Sequence, residues 1–269
     1  MTGLEDVAVD ELLALACRLA VEAGDAALAG RRRSGASSTT KSSLTDLVTV
    51  HDRAAEAAIV AGLTAARPDD AIVGEEGARV AGTSGVAWHV DPIDGTTNFV
   101  YDLPLWSTSV AAADEEGMLV GAVYAPVLGE LFAAGRGRGA TLGGRPITCS
   151  DRTDLSLALA ATGFSYDAGR RRQQAGVVER LIGSVRDVRR LGSAALDLCF
   201  VAAGRYDVYF ETGLNSWDAA AGELIATEAG CRSGDFHGGP PVPAELLVTA
   251  PAIFDAMTAL LERSTGEHA

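Results

Sequence analysis

Four acidic groups in this chain could do chemistry together. GEEG carries Glu75 and Glu76, and DPIDGTTNF places Asp91 and Asp94 three residues apart, followed by a glycine and two threonines. WDAAAGE supplies Asp218, and KSSLTDLVT supplies Asp46. The apolar runs AIVG and VAWHV read as strands leading into Glu75 and Asp91, and Asp218 falls in the first turn of a helix after Asn215 and Ser216. Strand ends meet in shared crevices in α/β folds, so these groups can converge. Carboxylates are expensive to bury unless paired or bound to a metal, and packed together they raise one another's pKa. A hard divalent cation resolves that conflict: Mg²⁺ takes oxygen ligands, keeps several waters and bridges a few carboxylates to a phosphate. No His or Cys is spaced to favour zinc. Pro92 fixes the turn between the aspartates and leaves the Ile93 carbonyl available as a further oxygen ligand. Gly95, Thr96 and Thr97 then open a helix or tight turn, whose free N–H groups suit phosphate oxygens. A threonine hydroxyl there can orient a water.

Taken singly, each group has a plainer reading. Glu75 and Glu76 could form an exposed turn, Asp218 could answer a helix dipole, and Asp46 could cap a short element. Asp91 and Asp94 could belong to an ordinary polar turn. The joint pattern favours an ionic site.

The elements that must position these residues are legible in outline. Residues 5–30 have apolar positions at helical spacing, and a Ser/Thr-rich loop, RRRSGASSTTKSS, follows. A second helix fits Arg53 to Ala66, with Pro68 just beyond it. From Ser107 to Ala134, short apolar segments split by turn residues predict an antiparallel sheet, and Gly143-Gly144 suits a hairpin turn. GRGRG at 135–139 does not open a helix after a strand, so it is not read as a nucleotide loop. The second half alternates: strands at LALAAT, VRDV, DVYF and LLVTA, and helices over 171–182, SAALDLCFVAAG, WDAAAGELIATEAG and PAIFDAMTALLE. That rhythm is α/β. The expected organisation is an α+β half, 1–150, carrying most of the acidic ligands, and an α/β half, 151–269, completing the site. The two should pack as one body.

Composition narrows the function classes. With 269 residues, nearly half of them hydrophobic, the chain can bury a sizeable core. A formal charge of −14 argues against direct nucleic-acid binding. No apolar run approaches the ~20 residues of a membrane span, and the acidic, amphipathic N-terminus lacks the basic start of a signal peptide. The expectation is a cytoplasmic protein without a membrane partner. Cys17, Cys149, Cys199 and Cys231 form no CxxC pair and read as small buried hydrophobes, and Arg31–Arg33 and Arg170–Arg172 as solvated surface. A serine hydrolase is disfavoured: no GxSxG elbow appears, and His51, His89, His237 and His268 have no obvious serine partner in the sequence. His89 lies within a strand pattern and reads as structural.

GEEG at 74–77, DPIDGTTNF at 91–99 and WDAAAGELIATEAG at 217–230 resemble the inositol monophosphatase family, as do KSSLTDLVT, RRLGSAALDLC and DVYFETG. The resemblance runs from about residue 10 to 260, and the pairing of DPIDGTTNF with the distant WDxAAG motif is highly specific. It implies a layered α/β/α/β/α sugar-phosphatase fold with metals between the halves. Glu75, Asp91 and the Ile93 carbonyl are the implied ligands of a first Mg²⁺, and Asp91, Asp94 and Asp218 those of a second. Glu75 would help hold a third, weaker ion. Asp46 and Thr96 are the implied pair that activates water, and Gly95 and Thr96 hold phosphate through their N–H groups. Gly192, Ser193, Ala194 and Glu211 match positions that contact the sugar-alcohol ring, and Asp218 also touches a ring hydroxyl. Glu76 stands behind these ligands rather than among them. The implied reaction is Mg²⁺-dependent hydrolysis of myo-inositol monophosphate by a lithium-sensitive homodimer. Thr97-Asn98 favours that ester over histidinol phosphate or other sugar and polyol phosphates, the alternatives within the superfamily. A non-enzymatic alternative is a regulatory protein that binds the transcription machinery. Leu44, where many members have proline, and the segment 234–243 depart from the pattern; neither removes a catalytic group.

Overall fold

The computed structural model describes residues 4–41 and 47–265. It opens with α1, Leu4–Ser34, longer than the 5–30 expected. Burial of Leu12, Ala16, Leu19, Ala20, Ala23 and Ala27 along one stripe holds it. The Ser/Thr-rich segment is not wholly loop: β1 (Ser38–Thr40) pairs antiparallel with β2 (Leu47–Thr49). Asp46 lies outside the described residues. Helix α2, Val50–Ala66, starts three residues before the expected Arg53 because Thr49 caps it. The Thr49 hydroxyl accepts from the His51 and Asp52 N–H groups, and the Asp52 carboxylate accepts from the Thr49 N–H.

Next come β3 (Ala71–Gly74), β4 (Arg79–Val80), β5 (Ala87–Asp94), the short helix α3 (Thr96–Val100), β6 (Ser107–Asp114), β7 (Gly117–Ala125), β8 (Glu130–Gly135), β9 (Ala140–Leu142) and β10 (Arg145–Ile147). The eight strands form one sheet in the order β10-β9-β8-β7-β6-β5-β3-β4. Only β3 and β5 run parallel. Both glycines of the Gly143-Gly144 hairpin adopt positive φ, 57° and 76°, as that turn requires. In GRGRG, the N–H groups of Gly137 and Gly139 each donate to the Glu228 carboxylate at 2.8 Å. The turn's anion is thus supplied by the chain itself.

The remainder alternates as expected: β11 (Leu159–Thr162), α4 (Ala168–Leu181), β12 (Asp187–Arg189), α5 (Ala194–Ala202), β13 (Val208–Thr212), α6 (Ser216–Glu228), β14 (Arg232–Gly234), β15 (Glu245–Thr249) and α7 (Phe254–Thr265). These strands form a second sheet, β12-β11-β13-β15-β14, parallel through β13 and antiparallel at β15. The unforeseen β14 is only three residues long.

Three apolar cores stack these elements into five layers. Leu12, Ala16 and Leu19 of α1 and Ile59 and Leu63 of α2 pack on Val90, Val110 and Ala122 of the large sheet. Its other face, including Ala111, Val123 and Phe132, meets α5 and α6, which also cover Ala161, Tyr209 and Val248 of the small sheet. The outer face of the small sheet, Ala160, Val208 and Phe210, packs with Leu181 of α4 and Met257 and Leu261 of α7. Alternate residues of β6 and β13 thereby serve opposite cores. The layering is the expected α/β/α/β/α. The central layer is thin because its residues are small: a Cβ on Gly121 of β7 would lie 2.9 Å from the Ala221 Cα of α6, and one on Gly222 would lie 2.7 Å from Leu198 Cβ of α5.

Three surface expectations need correction. Arg31 is not free surface: its guanidinium donates to the Phe99 carbonyl and, at 2.5 Å, to Asp102. Arg171 donates to the carbonyls of Ser165 and Tyr166 at 3.1 and 3.0 Å. Of the four free cysteines only Cys199 and Cys231 are buried. No described helix is long and apolar enough to cross a membrane.

Candidate metal and phosphate site

At the end of β3 the chain turns sharply through Gly74, Glu75 and Glu76. The Glu56 carboxylate of α2 holds this turn, accepting from the N–H of Glu76 at 2.8 Å and of Ala78 at 3.0 Å. A Cβ at residue 74 would sit 2.2 Å from Glu56 Oε2, so a larger residue there would push away the carboxylate that holds the turn. The parallel neighbour β5 adds a bond from Glu75 N–H to the Val90 carbonyl at 3.1 Å. Glu75 and Asp91 are thereby carried at the ends of adjacent strands.

At Asp91 the pairing of β5 with β6 slips: Asp91 faces Ser109, but Asp94 faces Ser107. One extra residue is accommodated on β5, a bulge made where Pro92 has no N–H to give the ladder. Asp91 Oδ1 accepts from Ile93 N–H at 3.0 Å, and the Pro92 carbonyl accepts from Thr108 Oγ1 at 2.9 Å. Gly95 then takes φ 94° and starts α3; a Cβ there would lie 3.0 Å from the Gly192 carbonyl. Thr96 Oγ1 lies 3.2 Å from Asp52 Oδ1 and 3.1 Å from the Ile93 carbonyl, as donor to one or the other.

The second half arrives from three elements. Asp94 Oδ2 accepts from Ser193 Oγ and from the Ala195 N–H of α5, both at 2.7 Å. Asn98 donates both amide hydrogens, to the carbonyls of Leu105 (2.5 Å) and Leu191 (2.7 Å), locking the DGTTN turn to the loop before α5. On β13, Glu211 Oε2 accepts from Tyr209 Oη at 2.6 Å. On α6, Asp218 accepts from the N–H and side-chain amide of Asn215 in a capping box. His89, read as having no serine partner, does have one: its Nδ1 lies 2.9 Å from Ser216 Oγ at the start of the same helix, a contact between β5 and α6 that sequence spacing could not show.

One cavity of about 320 Å³ collects Glu75, Asp91, Ile93, Asp94, Gly95, Thr96, Gly192, Ser193, Ala194, Glu211 and Asp218. Burial, then the like charges of Glu75, Asp94 and Asp218, push Asp91 well above the ordinary carboxylate range. Burial likewise raises Asp94 and Asp218 to about 6 and Glu211 to about 7. Glu75 is also raised by burial, although Lys41 opposes the rise. The Lys41 ammonium donates to Glu75 Oε1 at 2.8 Å and also to Glu76. Among the described residues no three His, Cys, Asp or Glu side chains form a tight ligand cluster; Glu75 is turned to Lys41 and Asp94 to α5. The donor chemistry nonetheless fits a hard divalent cation. It consists of carboxylate oxygens with mutually repelling charge, buried on Asp91 and Asp94 and half-buried on Glu75 and Asp218, and no described His or Cys lines the cavity.

Several participants escaped the sequence reading: Lys41, Asp52, Glu56 and Tyr209. Asp52 and Glu56 had left a signal, being acidic residues on the same buried face of α2 as Ala55 and Ile59. Asn98, read as a mark of substrate choice, spends its side chain on the backbone. Thr97 borders a neighbouring cavity with Tyr166, Arg171 and Arg190.

A five-layered fold with buried carboxylates between its two sheets defines a phosphatase of the layered sugar-phosphatase class. The model of the inositol monophosphatase family matches residues 8–266, and the chain belongs to that family. It is a hydrolase of phosphate monoesters, and members of the family are generally metal-dependent. Among its relatives is an inositol-1-monophosphatase of Mycobacterium leprae, 43% identical across 97% of this chain and 93% of the relative. The Nus factor SuhB of Pasteurella multocida is 41% identical across 91% and 93%. The crystal structure of the extragenic suppressor protein suhB from Bartonella henselae superposes with a TM-score of 0.88 at 32% identity, covering 96% of this chain and all of that one.

Proposed function

We propose that the protein is a Mg²⁺-dependent phosphomonoesterase converting myo-inositol monophosphate to myo-inositol and phosphate. The carrying observation is the single cavity that presents both the acidic oxygens and Gly192, Ser193, Ala194 and Glu211. In this reading Glu75, Asp91, the Ile93 carbonyl, Asp94 and Asp218 hold two or three ions. Bound there, Mg²⁺ supplies a low-pKa water and neutralises phosphate charge. The N–H groups at the start of α3, those of its cap Gly95 and of Thr96, hold the phosphate oxygens. The Thr96 hydroxyl, anchored by Asp52 or the Ile93 carbonyl, aims the attacking water, and Asp46 is proposed to share that task. The water oxygen bonds to phosphorus as the ester oxygen leaves with the alcohol, which takes up a proton. Asp218, held by its capping box, lies beside the leaving group. Glu76 steadies Lys41 behind Glu75.

The division into a half at 1–150 with most ligands and a half at 151–269 completing the site belongs to this proposal. So do lithium inhibition, a homodimeric state, a cytoplasmic location and the lack of a direct nucleic-acid partner. The test is phosphate release from myo-inositol 1-phosphate, histidinol phosphate and fructose bisphosphate, with and without Mg²⁺, EDTA and Li⁺. The inositol ester should be preferred, and EDTA should abolish turnover. A wide preference for histidinol phosphate overturns the substrate, and full activity in Asp91→Asn or Asp94→Asn overturns the metal site. The name of the Pasteurella relative favours a second reading, a Nus factor; affinity capture with purified transcription-elongation factors tests it.

A further inference from the structure

Helix α5 is buried from Ala195 to Ala202, and Asp197 is its only charged residue. It follows Ser193 by four residues, and both line the cavity. Ser193 is matched, its hydroxyl being spent on Asp94. Asp197 is not. It is 1% exposed, and its Oδ1 makes no hydrogen bond to any described residue. Burial, then the like charges of Asp94 and Glu211, hold its carboxyl well above the ordinary carboxylate range, with Arg190 opposing them. Leaving such an oxygen without a donor is destabilising, and an apolar side chain would suit an otherwise apolar helix better. Because Asp197 lines the cavity, what enters there can supply the missing donor.

We infer that Asp197 is a specificity-determining residue, accepting a hydrogen bond from a hydroxyl of the leaving polyol, directly or through one bound water. The inference rests on the reading of the cavity as a polyol-phosphate site and adds a recognition group to Gly192, Ser193, Ala194 and Glu211. An ester whose leaving group bears no further hydroxyl has nothing to offer Asp197, so the residue separates polyol phosphates from simple aryl phosphates.

The test measures kcat and KM for myo-inositol 1-phosphate and 4-nitrophenyl phosphate in the wild type, Asp197→Ala and Asp197→Asn at one Mg²⁺ concentration, with thermal midpoints alongside. In Asp197→Ala, kcat/KM for the inositol ester should fall about tenfold or more. The aryl ester should stay within about twofold. Asp197→Asn keeps the volume but turns one carboxyl oxygen into an amide nitrogen that donates and cannot accept, so the ratio of the two esters should fall about threefold. That variant carries the test if the alanine protein does not fold. An unchanged ratio overturns the assignment, whether both esters decline together, as a structural role predicts, or neither declines, as a carboxyl satisfied by a structural water predicts. A wild type that hydrolyses neither ester overturns the phosphatase reading as well. A wild type that hydrolyses both, with the variant ratio unchanged, removes only Asp197.

Discussion

Thr96 shows how much one hydroxyl is asked to do. It sits between Asp52 and the Ile93 carbonyl at the floor of the cavity. Thr96→Ala should lower kcat about 100-fold or more, while Thr96→Ser, which keeps the oxygen, should retain most of it; steady-state kinetics on both variants checks this. Asp70 makes a separate point about stability. Burial opposes its ionisation, yet Arg67, Ser84 and Trp88 outweigh that and hold its carboxyl below the ordinary value. A depressed carboxyl contributes stability that is fully present above its unfolded pKa, about 3.9, and lost as pH falls through the folded value. Asp70→Asn should therefore be less stable than the wild type at neutral pH. The gap should narrow as pH falls below about 4, as read by urea denaturation across pH.

Between elements, the site depends on groups that never meet the substrate. The Glu56 carboxylate fixes the turn that carries Glu75. Glu56→Ala should raise the Mg²⁺ concentration for half-maximal activity about tenfold, in the range seen when supporting contacts of metal ligands are removed; a Mg²⁺ titration of phosphate release measures it. The bulge at Pro92 has the same standing. Without it, period-2 alternation would send Asp91 and Asp94 to opposite faces of the sheet.

Across the whole molecule, the central helices let two sheets share one site. Gly121 of β7 lies against Ala221 of α6, three residues beyond Asp218. Gly121→Val should cost about 1–3 kcal/mol by overpacking and lower activity as α6 is displaced. Urea midpoints and kcat on the same preparation test the two effects together. The close approach also explains why Ala219 to Gly222 are all small: bulk there would part the sheets and draw Asp218 from Asp94.

Periodicity and caps made the helices and the second-half alternation legible, because local spacing and turn chemistry act over a few residues. The acidic motifs were legible for the same reason: unpaired carboxylates at strand ends conflict with burial wherever the chain goes next. Boundaries moved where a cap intervened, as at Thr49, or where a short strand depended on a distant partner, as at β1 and β14. What sequence reasoning missed lay in long-range contacts. That Lys41 would turn to Glu75, that Asn98 would spend its amide on Leu191, and that Glu56 would face inward to the Glu75 turn depend on which elements become neighbours. The chain by itself determined which chemical groups needed a partner. Only the tertiary structure decided which partner each received, since a hydrogen bond or a charge contact is set by distances of a few ångströms between segments far apart in sequence.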